Sequence, residues 1–144
     1  MKVKKASILP SPLRSELFSA TSITSLKDTH DHSNPYTHIV LDPLCDHDRM
    51  TKVHEEAKNN LTANFKETDL FKVYQTGELG NFDISDPEMM KKFPELLSLR
   101  TAIYSKEFRD LISKIMGLDD LTDRVDCSCN AYTQGCHLIC HDDG

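Results

Sequence analysis

His141 and Asp143 stand two positions apart near the end of a 144-residue chain. On an extended strand, side chains two apart project from the same face. An imidazole nitrogen and a carboxylate oxygen at that spacing can converge on one ion. They are two legs of the two-histidine, one-carboxylate set that binds iron(II) and leaves coordination positions open for O₂ and a chelating co-substrate. An H-x-D pair is also what a charged strand end in solvent looks like, so the surrounding residues must decide.

Within residues 125–144, Gln134-Gly135 suits a two-residue hairpin loop, because glycine accepts the positive φ that such turns need. In that register Tyr132 faces His137, Ala131 faces Leu138, Asn130 faces Ile139 and Cys129 faces Cys140. One face then collects Cys127, Cys129, Ala131, Leu138 and Cys140, and is apolar. The other collects Asp126, Ser128, Asn130, Tyr132, His137, His141 and Asp143, with Ile139 its one apolar member. A slip of one residue would scramble the separation. On the polar face Tyr132 is placed to donate a hydrogen bond to a bound carboxylate; the plainer reading is an aromatic at the rim. The cysteines invite a zinc module, but their spacing, C-x-C-x₆-C-x₃-C, is not the paired C-x₂-C of structural zinc sites. Buried thiols acting as small hydrophobes are the simpler expectation.

The elements that must position this segment come earlier. Residues 1–20 are Ser/Pro-rich and read as a flexible arm. Thr21 to His32 reads as a short helix with Ile23 and Leu26 on its apolar stripe, broken at Ser33-Asn34-Pro35. Tyr36 to Leu41 reads as a strand. Asp46 is a candidate N-cap for a helix running to about Thr62, with Met50, Val53, Ala57 and Leu61 at helical spacing. Asn64 to Thr76 alternates as one or two strands. Asp86-Pro87 and Pro94 each open a helix. The apolar stripe from Leu96 to Ile115 divides into two helices near Tyr104-Ser105, and Gly117 is a natural C′ stop. Residues 124–144 turn to β patterning. The fold class expected is α+β, with 21–144 as one domain.

Composition narrows the function classes. A net charge of −6 and 38% apolar residues describe an ordinary globular chain and weigh against non-specific nucleic-acid binding, which needs a basic surface. No apolar run approaches the roughly 20 residues that cross a bilayer. Cytoplasm or nucleus is the expected setting.

Four stretches resemble the 2-oxoglutarate- and iron(II)-dependent prolyl hydroxylases of the fungal prolyl 3,4-dihydroxylase type, which act on a small-subunit ribosomal protein. They begin at Asn34-Pro-Tyr-Thr-His-Ile, Phe65-Lys-Glu-Thr-Asp-Leu-Phe-Lys-Val-Tyr-Gln, Leu99-Arg-Thr-Ala-Ile-Tyr and Asn130-Ala-Tyr-Thr-Gln-Gly-Cys-His, and together span about residues 33–143. The resemblance implies His141 and Asp143 as the first two iron ligands and Tyr132 as a 2-oxoglutarate contact. It further implies iron(II), 2-oxoglutarate and ascorbate as metal, co-substrate and reductant, a ribosomal-protein partner, and links to translation termination and oxygen sensing. The fold it implies is a double-stranded β-helix with helices supporting one sheet, of which this would be the N-terminal part. The family's second iron-binding histidine and its 2-oxoglutarate-binding arginine lie beyond the H-x-D pair. The sequence stops at Gly144, so the expectation is an incomplete domain, inactive alone, with a sheet edge open to self-association. The alternative is a non-catalytic fragment that serves as a protein-interaction module.

Overall fold

A computed structural model describes residues 7–119 and 121–141 of the chain. Its five α-helices and four short strands confirm the α+β class. The helices are α1 (Ala20–Asp31), α2 (His47–Asn60), α3 (Pro87–Lys92), α4 (Pro94–Ile103) and α5 (Lys106–Met116). Their ends carry the chemistry that starts and stops helices. Asp46 caps α2 by accepting from the Arg49 amide at 3.0 Å, and Ser105 caps α5 by accepting from the Phe108 amide at 3.1 Å. Gly117, with φ of 65°, closes α5 in the left-handed conformation. Proline opens both α3 and α4, where its missing N–H removes no helical hydrogen bond.

Helix α4 is the spine of the helical layer. Leu96 and Leu97 pack with Val53 of α2, Met90 of α3, Phe93 and Leu79, while α1 lies along α5 over the buried Leu111 and Ile115. The helix dipole and amides at the start of α4 are met by Glu56 of α2, whose carboxylate accepts from the amides of Glu95 and Leu96. Inside the same interface Arg49 pairs with the buried Glu95 at 2.7 Å and donates to Ser98 at 2.9 Å.

Two early expectations are corrected here. Residues 8–14 are not a free arm. The carbonyl of Pro10 accepts from Arg49 and Ser98, that of Pro12 accepts from the Asp46 amide, and Pro12 and Leu13 are buried. Residues 36–41 form no strand: Tyr36 and Val40 are 71% and 78% exposed. A strand is defined by its partner, and no neighbouring chain lies beside this segment among the described residues.

The sheet centres on β2 (Phe71–Gln75), paired antiparallel on one side with β1 (Asn64–Glu67). Its other side carries both β3 (Asn130–Ala131) and β4 (His137–Leu138), end to end. This overturns the expected hairpin. The two arms around Gln134-Gly135 do not pair with each other; each pairs with β2. Tyr74 stands opposite Ala131, so an unbroken ladder would put Thr133 opposite Lys72. His137 stands there instead, four positions later, and residues 132–136 leave the sheet as an excursion. Its tip is a type II turn: the Cys136 amide donates to the Thr133 carbonyl at 2.9 Å, and Gly135 has φ of 88°. The positive φ expected of Gly135 is therefore present in a different structure. Pairing with β2 prevails because β2 offers a ladder that runs on to Cys127, through Thr76–Cys129 and Leu79–Cys127 hydrogen bonds.

Candidate functional site

Because the excursion adds an even number of residues, side-chain alternation carries through it. Register places Asn130 beside Gln75 and Leu138 beside Phe71, on the face that also holds Val73. Ala131 and His137 share the opposite face with Tyr74 and Lys72. The expected division of faces is thus corrected at two positions: Leu138 moves to the side of Asn130, and His137 leaves it.

The face of Phe71, Val73 and Gln75 is the floor of a cavity of about 330 Å³. Tyr132, from the start of the excursion, and His141, beyond a bend at Cys140, both line it. Two of the three residues singled out from sequence therefore meet in one cavity. The third, Asp143, lies outside the described residues. Gln75 and Asn130 line the same space. Asn130 was expected on the polar face without a role; Gln75 was missed, since it belongs to a strand distant in sequence and carries no metal-binding group.

The His141 ring has its Nδ1 2.9 Å from the Ile139 carbonyl. A carbonyl only accepts, so Nδ1 carries the proton. That is the arrangement in which a backbone hydrogen bond orients a metal-binding histidine. Around it the cavity is lined by Leu70, Phe71, Val73 and Leu138, with polar groups from Gln75, Asn130 and Tyr132. No aspartate or glutamate lines it among the described residues. A mostly apolar hollow with a few convergent donors suits a small ligand bearing carboxylate or carbonyl oxygens.

The cysteines lie apart from this cavity. Cys127 and Cys129 pack against the helical core, and burial pushes both thiols up from their ordinary value. Among the described residues no three His, Cys, Asp or Glu side chains come together as a metal-binding group.

No family model matches the chain. Over 110 residues it is 44% identical to the prolyl 3,4-dihydroxylase OGFOD1 of Ostreococcus tauri. The stretch covers 76% of this chain and 21% of that protein, so the chain spans about a fifth of its relative. The chain belongs to the prolyl 3,4-dihydroxylase family and matches one part of such a protein.

Proposed function

We propose that this chain supplies part of the iron(II) and 2-oxoglutarate site of a prolyl hydroxylase, the helix-supported N-terminal part of a double-stranded β-helix. The observation that carries the reading is the meeting of His141 and Tyr132 in one cavity. The residues fit the group: the His141 ring is oriented by the Ile139 carbonyl through Nδ1, and among the described residues the lining offers neutral donors and no carboxylate. His141 and Asp143 would hold iron(II), which when bound activates O₂ with the 2-oxo acid as co-substrate and ascorbate as reductant. The chain's own residues bind and orient. Tyr132 O–H donates to a carboxylate oxygen of 2-oxoglutarate, and Asn130 gives a second donor. Leu70, Phe71 and Leu138 exclude water from the reacting face. The substrate would be a prolyl residue of a small-subunit ribosomal protein, met in the cytoplasm or nucleus, with consequences for translation termination and oxygen sensing.

Iron(II) titration without oxygen, followed by amide NMR, tests the metal half of the reading. Broadening should centre on His141, Leu138 and Tyr132 and vanish in His141→Ala. Broadening confined to other residues sinks it. A second reading, a protein-interaction module, is favoured by the large apolar side chains that the sheet exposes: Phe65, Leu70, Tyr132, Leu138 and Ile139 are each about half exposed.

A further inference from the structure

Of the six prolines in the chain, Pro12 is the one that follows a hydroxyl residue. The run Ser11-Pro12-Leu13-Arg14 also sets an arginine three positions after that serine. Serine, proline and a base at this spacing form the pattern that proline-directed serine kinases accept. The proline suits a pocket with no acceptor for a backbone N–H, and the base pairs with an acid further along the cleft.

The fold puts this run in an unusual position. Ser11 and Arg14 are exposed, whereas Pro12 and Leu13 between them are buried. The backbone is fastened along the helical layer. The Leu9 and Pro10 carbonyls accept from Ser98 Oγ of α4 at 3.2 and 2.7 Å, and the Pro10 carbonyl also accepts from Arg49 of α2. The Asp46 amide donates to the Pro12 carbonyl at 2.9 Å, and the Arg14 amide to the Leu44 carbonyl at 3.0 Å. Ser11 Oγ itself accepts from the Leu13 amide at 3.2 Å. A kinase cleft takes its target as an extended segment, so it meets Ser11 together with Pro12 only when local opening has lifted this run from the helices.

The docked position is also a poor one for a phosphate. Ser11 lines a cavity of about 530 Å³ with Arg14, Glu16, Asp46, His47 and Arg49. Both arginines are already matched, Arg14 by Glu16 and Arg49 by Glu95, and the Asp46 carboxylate caps α2 in the same space. Three carboxylates thus stand against two guanidinium groups. A phosphoserine adds a charge of about −1.5 to −2, and like charges beside it repel it.

We propose that Ser11 is a phosphorylation site hidden by the docking of residues 8–14, and that the phosphate, once added, keeps this segment off the helical layer. In the transfer, Ser11 Oγ bonds to the γ-phosphorus of ATP, the bond from that phosphorus to the departing ADP oxygen breaks, and the hydroxyl proton passes to the base of the kinase. The site shares no residue with the cavity of His141 and Tyr132, so it stands or falls independently of the metal reading.

The test uses a cyclin-dependent kinase, a proline-directed enzyme, with ATP and magnesium, on the 144-residue chain and on a free peptide of residues 7–16. The peptide should be labelled at Ser11, and more slowly when it carries Arg14→Ala. The folded chain should be labelled at the same residue about tenfold more slowly than the peptide, by peptide mass spectrometry. Ser98→Ala takes a hydrogen bond from the docked segment and should quicken labelling of the chain by about fivefold. In the labelled chain the Asp46 amide should lose its protection from deuterium exchange, because its acceptor at Pro12 has gone. A peptide that takes no label, a folded chain labelled as fast as the peptide or not at all, a rate unmoved by Ser98→Ala, or an Asp46 amide as protected after labelling as before overturns the proposal. The comparison of chain with peptide and the Asp46 readout need no variant of the helical layer, so they decide even if Ser98→Ala fails to fold.

Discussion

The thiols of this chain divide by burial, and that division can be read chemically. Burial pushes Cys45, Cys127 and Cys129 above the ordinary thiol value of 9.0, whereas Cys140 is exposed. Thiolate is the reactive form, so iodoacetamide should label Cys140 first and Cys127 and Cys129 only as the chain opens, as peptide mass spectrometry would show. The same shift sets a pH dependence. The unfolded chain gives up these protons at the ordinary thiol value while the fold retains them, so their contribution is complete below that value and fades as pH rises past it. Urea midpoints should fall between about pH 8 and pH 10, and less steeply in a Cys127→Ala, Cys129→Ala variant. Of the candidate site, His141 and Tyr132 were legible because a ligand-type pair and a nearby phenol sit within a single short segment. Gln75 was not, since an amide acquires meaning only from the strand that lies next to it.

At the scale of elements, local chemistry decided what sequence could reveal. The bounds of α2, α4 and α5 follow from caps and prolines that act within one turn, and all three were expected nearly where they lie. Removing such a cap has a defined effect: Asp46→Ala should lower stability by about 1 kcal/mol in urea unfolding. Strand partners are a nonlocal choice, and there the reading failed. Residues 130–138 look like a hairpin in isolation; only the presence of β2 as an alternative ladder makes them two strands and an excursion. The excursion depends on Gly135, whose φ of 88° favours a residue without Cβ. Gly135→Ala meets no neighbouring atom within 4 Å, so strain rather than collision is its effect. It should destabilise by roughly 1 kcal/mol and shift the Tyr132 amide in NMR spectra.

For the molecule as a whole, the helical layer and the sheet differ in how they are held. The layer is locked by Arg49, which joins Glu95 of α4, Ser98 and the Pro10 carbonyl. Among the described residues Arg49→Ala leaves the buried Glu95 with Lys52 alone, at 3.8 Å, and should cost about 3 kcal/mol in urea unfolding while freeing residues 8–14 for proteolysis. The sheet, by contrast, leaves β1 as an edge among the described residues and exposes aromatic and aliphatic side chains on both faces. The 144-residue chain should therefore self-associate as its concentration rises, by light scattering, and a charge placed on the edge strand at Phe65→Lys should suppress this. The excursion at 132–136 also divides the candidate site into halves of unequal permanence. The half bearing Asn130 continues into a ladder anchored at Thr76 and Leu79, whereas beyond β4 the Ile139 amide donates to the Leu70 carbonyl. Backbone deuterium uptake should thus be fast from His137 to Ile139 and slow at Cys129, so that the end bearing His141 opens and closes many times for each opening of the end bearing Asn130.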